Sequence, residues 1–181
     1  MIMTTSLVGR KVSLRILTID DVDGKYAGWM NDEETTQFLE SRGRSYSIED
    51  LKSYVEKIKE CKSDIIFGIF ENDNNMHVGN IKIGKIDSLH MHAEIGIMIG
   101  DKHSWGHGYA SESICAITQY IFEKFGLHQI MAGLYNRNVG SYKAFLKSGY
   151  LEEARLKDYW LCDGSFQDQI LMYKLYEGCH G

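Results

Sequence analysis

Three strand patterns follow one another between residues 65 and 100 with no helical stretch between them, and this narrows the available folds more than any other feature. IIFGIFE (65–71) is a run of β-branched and aromatic residues, NDNN (72–75) is a turn, and HVGNIKIGKI (77–86) is the return strand. HAEIGIMIG (92–100) is the third pattern. Strands joined by short turns pair antiparallel, whereas a doubly wound parallel sheet needs a helix between successive strands. A meander in mid-chain therefore argues against a dinucleotide-binding βαβ fold.

The flanking segments complete a mixed pattern. LVGRKVSLRIL (7–17) alternates at Val12, Leu14 and Ile16 and reads as one strand. DDVDGKYAGWMND (20–32) and SIEDLKSYVEKIKEC (47–61) read as helices. In the second, Ser47 followed by Asp50 is a capping pattern, and Leu51, Tyr54, Val55 and Ile58 form one apolar face. The linking segment 33–46 reads as irregular. A helix is expected over Tyr109 to Phe125, a strand over 128–135, and a helix over 138–149 with Asn138 as cap and Gly149 as terminating glycine. Two closing strands, 150–161 and 166–176, meet across Cys162-Asp163-Gly164-Ser165, where Asp-Gly signals a hairpin. The expectation is one α+β domain over residues 1–181, with about seven strands and about four helices.

Composition excludes several classes. The net charge of −5 comes without a Lys/Arg block, which argues against nucleic acid as the main partner and is compatible with a cationic acceptor such as an amine. No apolar run approaches the ~18 residues of a membrane span, and the first ten residues lack a signal-peptide pattern. Cys61, Cys115, Cys162 and Cys179 are scattered, so neither a zinc site nor a disulfide framework is expected; a reducing, cytoplasmic setting fits. No metal is expected, and a homodimer is left open.

The stretch DKHSWGHGYASES (101–113) carries the chemistry. Glycines at 106 and 108 let the backbone approach a ligand, and the helix that follows offers unpaired N–H groups and partial positive charge. Together they suit a pyrophosphate without lysine side chains. A lone GxG is weak, and its plain alternative is a structural turn. The dinucleotide pattern fails at its third glycine, which is Ser111, and no Gly-Lys-Ser/Thr of a P-loop is present.

The order AEIGIMIG, WGHGYASE, strand, NVGSYKAFLKSGY resembles the GNAT superfamily of acetyl-CoA-dependent N-acetyltransferases. The family's Arg/Gln-x-x-Gly-x-Gly/Ala turn is matched by His103-Ser104-Trp105-Gly106-His107-Gly108, with His103 where Arg or Gln is usual. Its Asn-x-x-Ser helix ending in Gly-Phe or Gly-Tyr is matched by Asn138 to Ser141 and by Gly149-Tyr150. LVGRKVSLR and WMNDEE resemble the branch holding ribosomal-protein N-terminal and sugar-nucleotide amine acetyltransferases. The resemblance implies that acetyl-CoA is the co-substrate. Its pyrophosphate would lie on Trp105, Gly106, His107, Gly108, Tyr109 and Ala110, and its pantetheine arm on the backbone of Ile97, Met98 and Ile99. Asn138, Ser141 and Phe145 would complete the cofactor site.

An amine attacks a thioester only when unprotonated, and free alkylamines titrate near ~10, so a proton acceptor is needed. Glu94, beside the backbone expected to hold the thioester, is the first candidate base; its plain alternative is an exposed strand glutamate. His90 and His92 share a face, but no third metal ligand accompanies them. The resemblance puts a leaving-group tyrosine where this chain has Phe145; Tyr142, one turn earlier, is the substitute candidate. Tyr159 and Trp160 are candidates for the acceptor pocket or for an aromatic core pair. Glu33, Glu34 and Arg42 to Arg44 would line an acceptor entrance or be simply solvated. A small-molecule primary amine, such as a nucleotide-linked amino sugar, is the favoured acceptor. Protein N-terminal acetylation and CoA binding without turnover are the alternatives.

Overall fold

A computed structural model describes residues 6–178. Residues 1–5 and 179–181, Cys179 among them, lie outside these. Eight strands form one sheet: β1 (Ser6–Val8), β2 (Val12–Ile16), β3 (Ile65–Glu71), β4 (His77–Asp87), β5 (His92–Ile99), β6 (Gln129–Tyr135), β7 (Leu151–Cys162) and β8 (Ser165–Leu175). The spatial order is β1-β2-β3-β4-β5-β6-β8-β7, antiparallel throughout except for β5 against β6. The helices are α1 (Gly24–Met30), α2 (Glu33–Thr36), α3 (Ile48–Glu60), α4 (Tyr109–Phe125) and α5 (Val139–Lys147). The architecture is α+β, as the meander required.

The sheet is covered on both faces. On one, Leu14, Phe67, Ile81 and Ile95 pack with Ile114, Ile117 and Ile121 of α4. On the other, Ile66 packs with Tyr26 and Trp29 of α1 and with Leu51, Val55 and Ile58 of α3. This is why β3 reads as a continuous apolar run: Ile66 and Phe67 face opposite layers and both are buried. Truncating a fully buried residue such as Ile117 to alanine would cost about 2–5 kcal/mol.

Local signals placed most elements. Ser47 and Asp50 form the capping box of α3, Asn138 Oδ1 accepts from Ser141 N at 3.1 Å to cap α5, and Gly149 has φ +81°. Asp163 and Gly164 both have positive φ, as the tight β7–β8 turn requires. The structure corrects the reading of 7–17 as one strand. Gly9 N donates to Val12 O at 2.9 Å, turning the chain into a β1–β2 hairpin and raising the strand count to eight. The first helix starts at Gly24 rather than at 20, because Asp23 caps it by accepting from Tyr26 N. The segment expected to be irregular contains α2, capped by Asp32, which makes five helices. Tyr54, assigned to the apolar face of α3, is 41% exposed. Among the described residues, no helix is long and apolar enough to cross a membrane, and Cys61, Cys115 and Cys162 are free thiols.

One topological detail creates the site. β5 and β6 pair only at His92↔Gln129, Ala93↔Ile130 and Glu94↔Met131. Beyond these, β6 remains paired with β8 as far as Tyr135↔Gln169, and β5 remains paired with β4 as far as Ile99↔Gly79. The two strands therefore part, and the sheet has an open seam at its centre.

Candidate active site

The glycine turn stands at the mouth of this seam. Gly106 and Gly108 have φ of +78° and +85°, a left-handed backbone that disfavours side chains. Gly108 is the N-cap of α4 and brings no side chain to the helix end, so the first-turn N–H groups are left for a ligand. The turn is braced from outside. Lys11 Nζ donates to His107 O at 2.7 Å, and Glu112 Oε1 accepts from the backbone N–H of Lys11 at 2.7 Å and of Val12 at 3.1 Å. Tyr109 donates its hydroxyl to Glu71, and this bond, with burial, pushes the phenol up to about 12, so it stays protonated.

Seam, turn and α5 enclose a cleft of about 600 Å³. Ten sequence-predicted cofactor residues line it: Ile97, Met98 and Ile99 of β5, Trp105, Gly106, Gly108, Tyr109 and Ala110 of the turn, and Asn138 and Ser141 of α5. Trp105 Nε1 donates to Ile99 O at 2.8 Å, which occupies that carbonyl; main-chain groups alternate sides along a strand, so Ile97 shares the seam edge with Ile99 while Met98 turns its own towards Asn80 of β4. His103 and His107 are exposed and outside the cleft; His107 contributes through its carbonyl rather than its ring.

Phe145 and Tyr142 are not brought to the cleft. Phe145 is fully buried, 5.0 Å from the Tyr150 ring, on the core side of α5. Tyr142 donates its hydroxyl to Glu152 of β7 at 2.9 Å; that bond, with burial, raises its pKa. The face of α5 that meets the cleft carries Gly140, Lys143, Ala144 and Lys147 instead. Helical spacing put 142 and 145 on one face, and packing against the sheet decided which way that face turned.

The opposite wall comes from the segment read as irregular. Glu34, Phe38 and Leu39 line the cleft. The segment is tied at both ends. Lys102 Nζ lies 2.9 Å from Asp32 and 2.7 Å from Glu34, while Arg42 donates to Tyr135 Oη at 2.8 Å and to Leu161 O. The bond to Lys102, with the Thr35 N–H, holds the Asp32 carboxyl down at about 2. Glu33 is exposed.

A second cavity, of about 470 Å³, lies on the other face of β5. It shares Leu39, Ile97 and Met98 with the cleft, so the two meet across β5. Tyr26, Tyr46, Asn80, Lys82 and Gly96 belong to it, and Arg44 reaches it from the loop. Reading the sequence singled out Arg44 but missed the rest, which look like core or strand residues until the sheet is assembled. Glu94 is two and four residues before Gly96 and Met98 and so lies on the same face of β5, but unlike them it lines neither cavity. Its carboxylate is half exposed and pairs with Lys85 Nζ at 2.8 Å.

Trp160 stacks on Tyr135 at 4.9 Å, with Tyr159 edge-on to it at 4.9 Å; neither lines the two cavities. They buttress the ring that holds Arg42. The rings of His90 and His92 stack 6.3 Å apart, and the described residues contain no group of three or more metal-type ligands.

Comparison with known proteins accounts for this arrangement. The family model described as "Acetyltransferase (GNAT) domain" matches residues 11–151, from the turn before β2 to the start of β7. The chain is 30% identical over 167 residues to the uncharacterized N-acetyltransferase YoaA of Bacillus subtilis, spanning 87% of this chain and 89% of that protein. It is 30% identical over 110 residues to the ribosomal protein uS5 alanine N-acetyltransferase of Escherichia coli, spanning 60% and 56%. The fold is shared with spermidine N-acetyltransferase from Vibrio cholerae, solved with CoA and spermine, at a TM-score of 0.82 and 22% identity, covering 91% and 95%. It is shared equally with ribosomal-protein-S5-alanine acetyltransferase from Vibrio fischeri, at a TM-score of 0.84 and 20% identity, covering 96% and 98%. Since the family model runs through the splayed strands and the glycine turn alike, and YoaA matches over most of both chains, the chain belongs to the GNAT family of acetyl-CoA-dependent N-acetyltransferases.

Proposed function

We propose that the chain acetylates the primary amine of a small molecule, taken up in the cavity behind β5. The observation that carries this reading is the meeting of cavity and cleft at Leu39, Ile97 and Met98, which lets donor and acceptor approach from opposite faces of one strand. Acetyl-CoA supplies the acetyl thioester. The turn at Gly106 to Ala110 offers backbone N–H groups to a pyrophosphate, and the main chain of Ile97, on the unpaired edge of β5, offers a short strand edge to the pantetheine arm. Glu94, on the acceptor face of β5, takes the amine proton through water, and Lys85 keeps it oriented. No tyrosine is needed for the leaving thiolate: a thiol near ~8.5 departs readily and water can protonate it.

Mass spectrometry of acetyl-CoA incubations with amino-sugar nucleotides, polyamines and N-terminal peptides tests the reading. Acetylation of a small amine is expected. Transfer to peptides alone would favour the activity named for the Escherichia coli relative. Binding of CoA with no transfer to any acceptor would make the chain a non-catalytic module.

A further inference from the structure

The cavity behind β5 has an unusual set of donors. Register puts Asn80 opposite Met98 and Lys82 opposite Gly96 on the face that floors it. Asn80 is 6% exposed. Its Oδ1 lies 2.9 Å from His77 Nε2, which also lies 3.0 Å from the carbonyl of Gly79. A carbonyl can only accept, so Nε2 carries the proton and the Asn80 atom facing it is the oxygen. That fixes the amide the other way round: Asn80 Nδ2 is buried beside the Tyr26 hydroxyl but makes no hydrogen bond of normal geometry. Buried donors are rarely left so in a native fold without a reason.

The charges point the same way. Arg44 lines the cavity and has no ion-pair or hydrogen-bond partner among the described residues. Lys82 lines it too, with Nζ 2.6 Å from Asp64. Glu40 is the one carboxylate of the lining. Arg44 is therefore the lining cation that no carboxylate of the described residues neutralises. There is also room: a Cβ built on Gly96 meets nothing within 4 Å.

Building on the small-molecule reading above, we infer that the acceptor is a primary amine that also carries an oxyanion, a carboxylate or a phosphate ester. Arg44 and Asn80 Nδ2 hold the oxyanion, and the amine turns towards Ile97 and Met98, where the cavity meets the cleft. The guanidinium fork suits either oxyanion through paired N–H bonds, and the amide adds a third donor from the sheet side. The overall negative charge of the chain, which by itself suits a cationic acceptor, has no bearing on this local pattern.

The test follows CoA thiol release with matched acceptors: amino acids against their decarboxylated amines, glucosamine 6-phosphate against glucosamine, and spermidine. The oxyanion-bearing member of a pair should have a kcat/KM at least about tenfold higher, the range of one charge-assisted hydrogen bond. The carboxylate and phosphate pairs distinguish the two sources. Arg44→Gln, at an exposed position, and the isosteric Asn80→Asp, which replaces the donor by an acceptor, should each erase that preference while acetyl-CoA affinity stays within about twofold. Equal use of both members of each pair, a preference for spermidine, or a preference untouched by Arg44→Gln would overturn the inference alone. Transfer confined to peptides would overturn both it and the reading on which it is built.

Discussion

Replacing Gly108 by valine separates the folding role of the glycine turn from its binding role. Gly108 has φ +85° and ψ +7°. Holding a β-branched residue there costs about 1–3 kcal/mol. No clash adds to this, because a Cβ would lie 3.7 Å from Lys11 Nζ and 3.9 Å from Ser111 Oγ, which is ordinary contact. In a chain of this size each kcal/mol lowers Tm by about 2–4 °C, so the variant should melt roughly 2–12 °C lower. It should still fold, since domains carry about 5–15 kcal/mol of stability. The ligand term is separate. Acetyl-CoA at a hundred times its Kd stabilises the wild type by about 2.7 kcal/mol, an upward shift of roughly 5–11 °C. The valine methyls would stand at the N-terminus of α4, over the N–H groups offered to the pyrophosphate, so most of that shift should vanish. Differential scanning fluorimetry with and without acetyl-CoA reads both numbers. Equal ligand-induced shifts in the two proteins would refute the placement of the pyrophosphate on this turn.

Three further outcomes are expected. Glu94→Gln should lower kcat by roughly 10²–10⁴-fold with little change in acetyl-CoA affinity, and the residual rate should recover at high pH where the amine is already neutral; near-normal turnover at pH 7 would make Glu94 an ordinary strand carboxylate. Tyr142→Phe should change kcat by about tenfold or less, because its hydroxyl is spent on Glu152, whereas Phe145→Tyr should lower stability by about 1–3 kcal/mol by placing a hydroxyl in a packed core; steady-state kinetics and thermal melts check the pair. The Asp32 carboxyl, held down at about 2, contributes stability that is fully present above its unfolded value near ~3.9 and is lost as pH falls through about 2, so Asp32→Asn should lower Tm at pH 7 and lower it much less at pH 2. An equal drop at both pH values would show that the Lys102 link does not act through charge.

What the sequence determined by itself is what depends on neighbours in the chain. Gly108 and Gly126 end α4 at the predicted residues, because a left-handed φ is a property of one residue and its peptide planes. Asn138 caps α5 and Asp163-Gly164 turns β7 into β8 for the same local reason. The match at the glycine turn and the Asn-x-x-Ser helix was legible because these backbone geometries recur wherever the same few residues recur. Tertiary structure alone decided the rest. The seam exists because β6 follows β8 while β5 follows β4, a competition between strands far apart in sequence. Lys11 reaches His107 across 96 positions. Tyr142 was readable as facing the sulfur, but periodicity fixes only which residues share a helix face, and the packing of Phe145 and Tyr150 turned that face into the core. The donors behind β5 were the least legible of all: Asn80 looks like one polar residue in an apolar strand, and only its contact with His77 and its pairing with Met98 show that its amide is buried without a hydrogen bond of normal geometry for Nδ2.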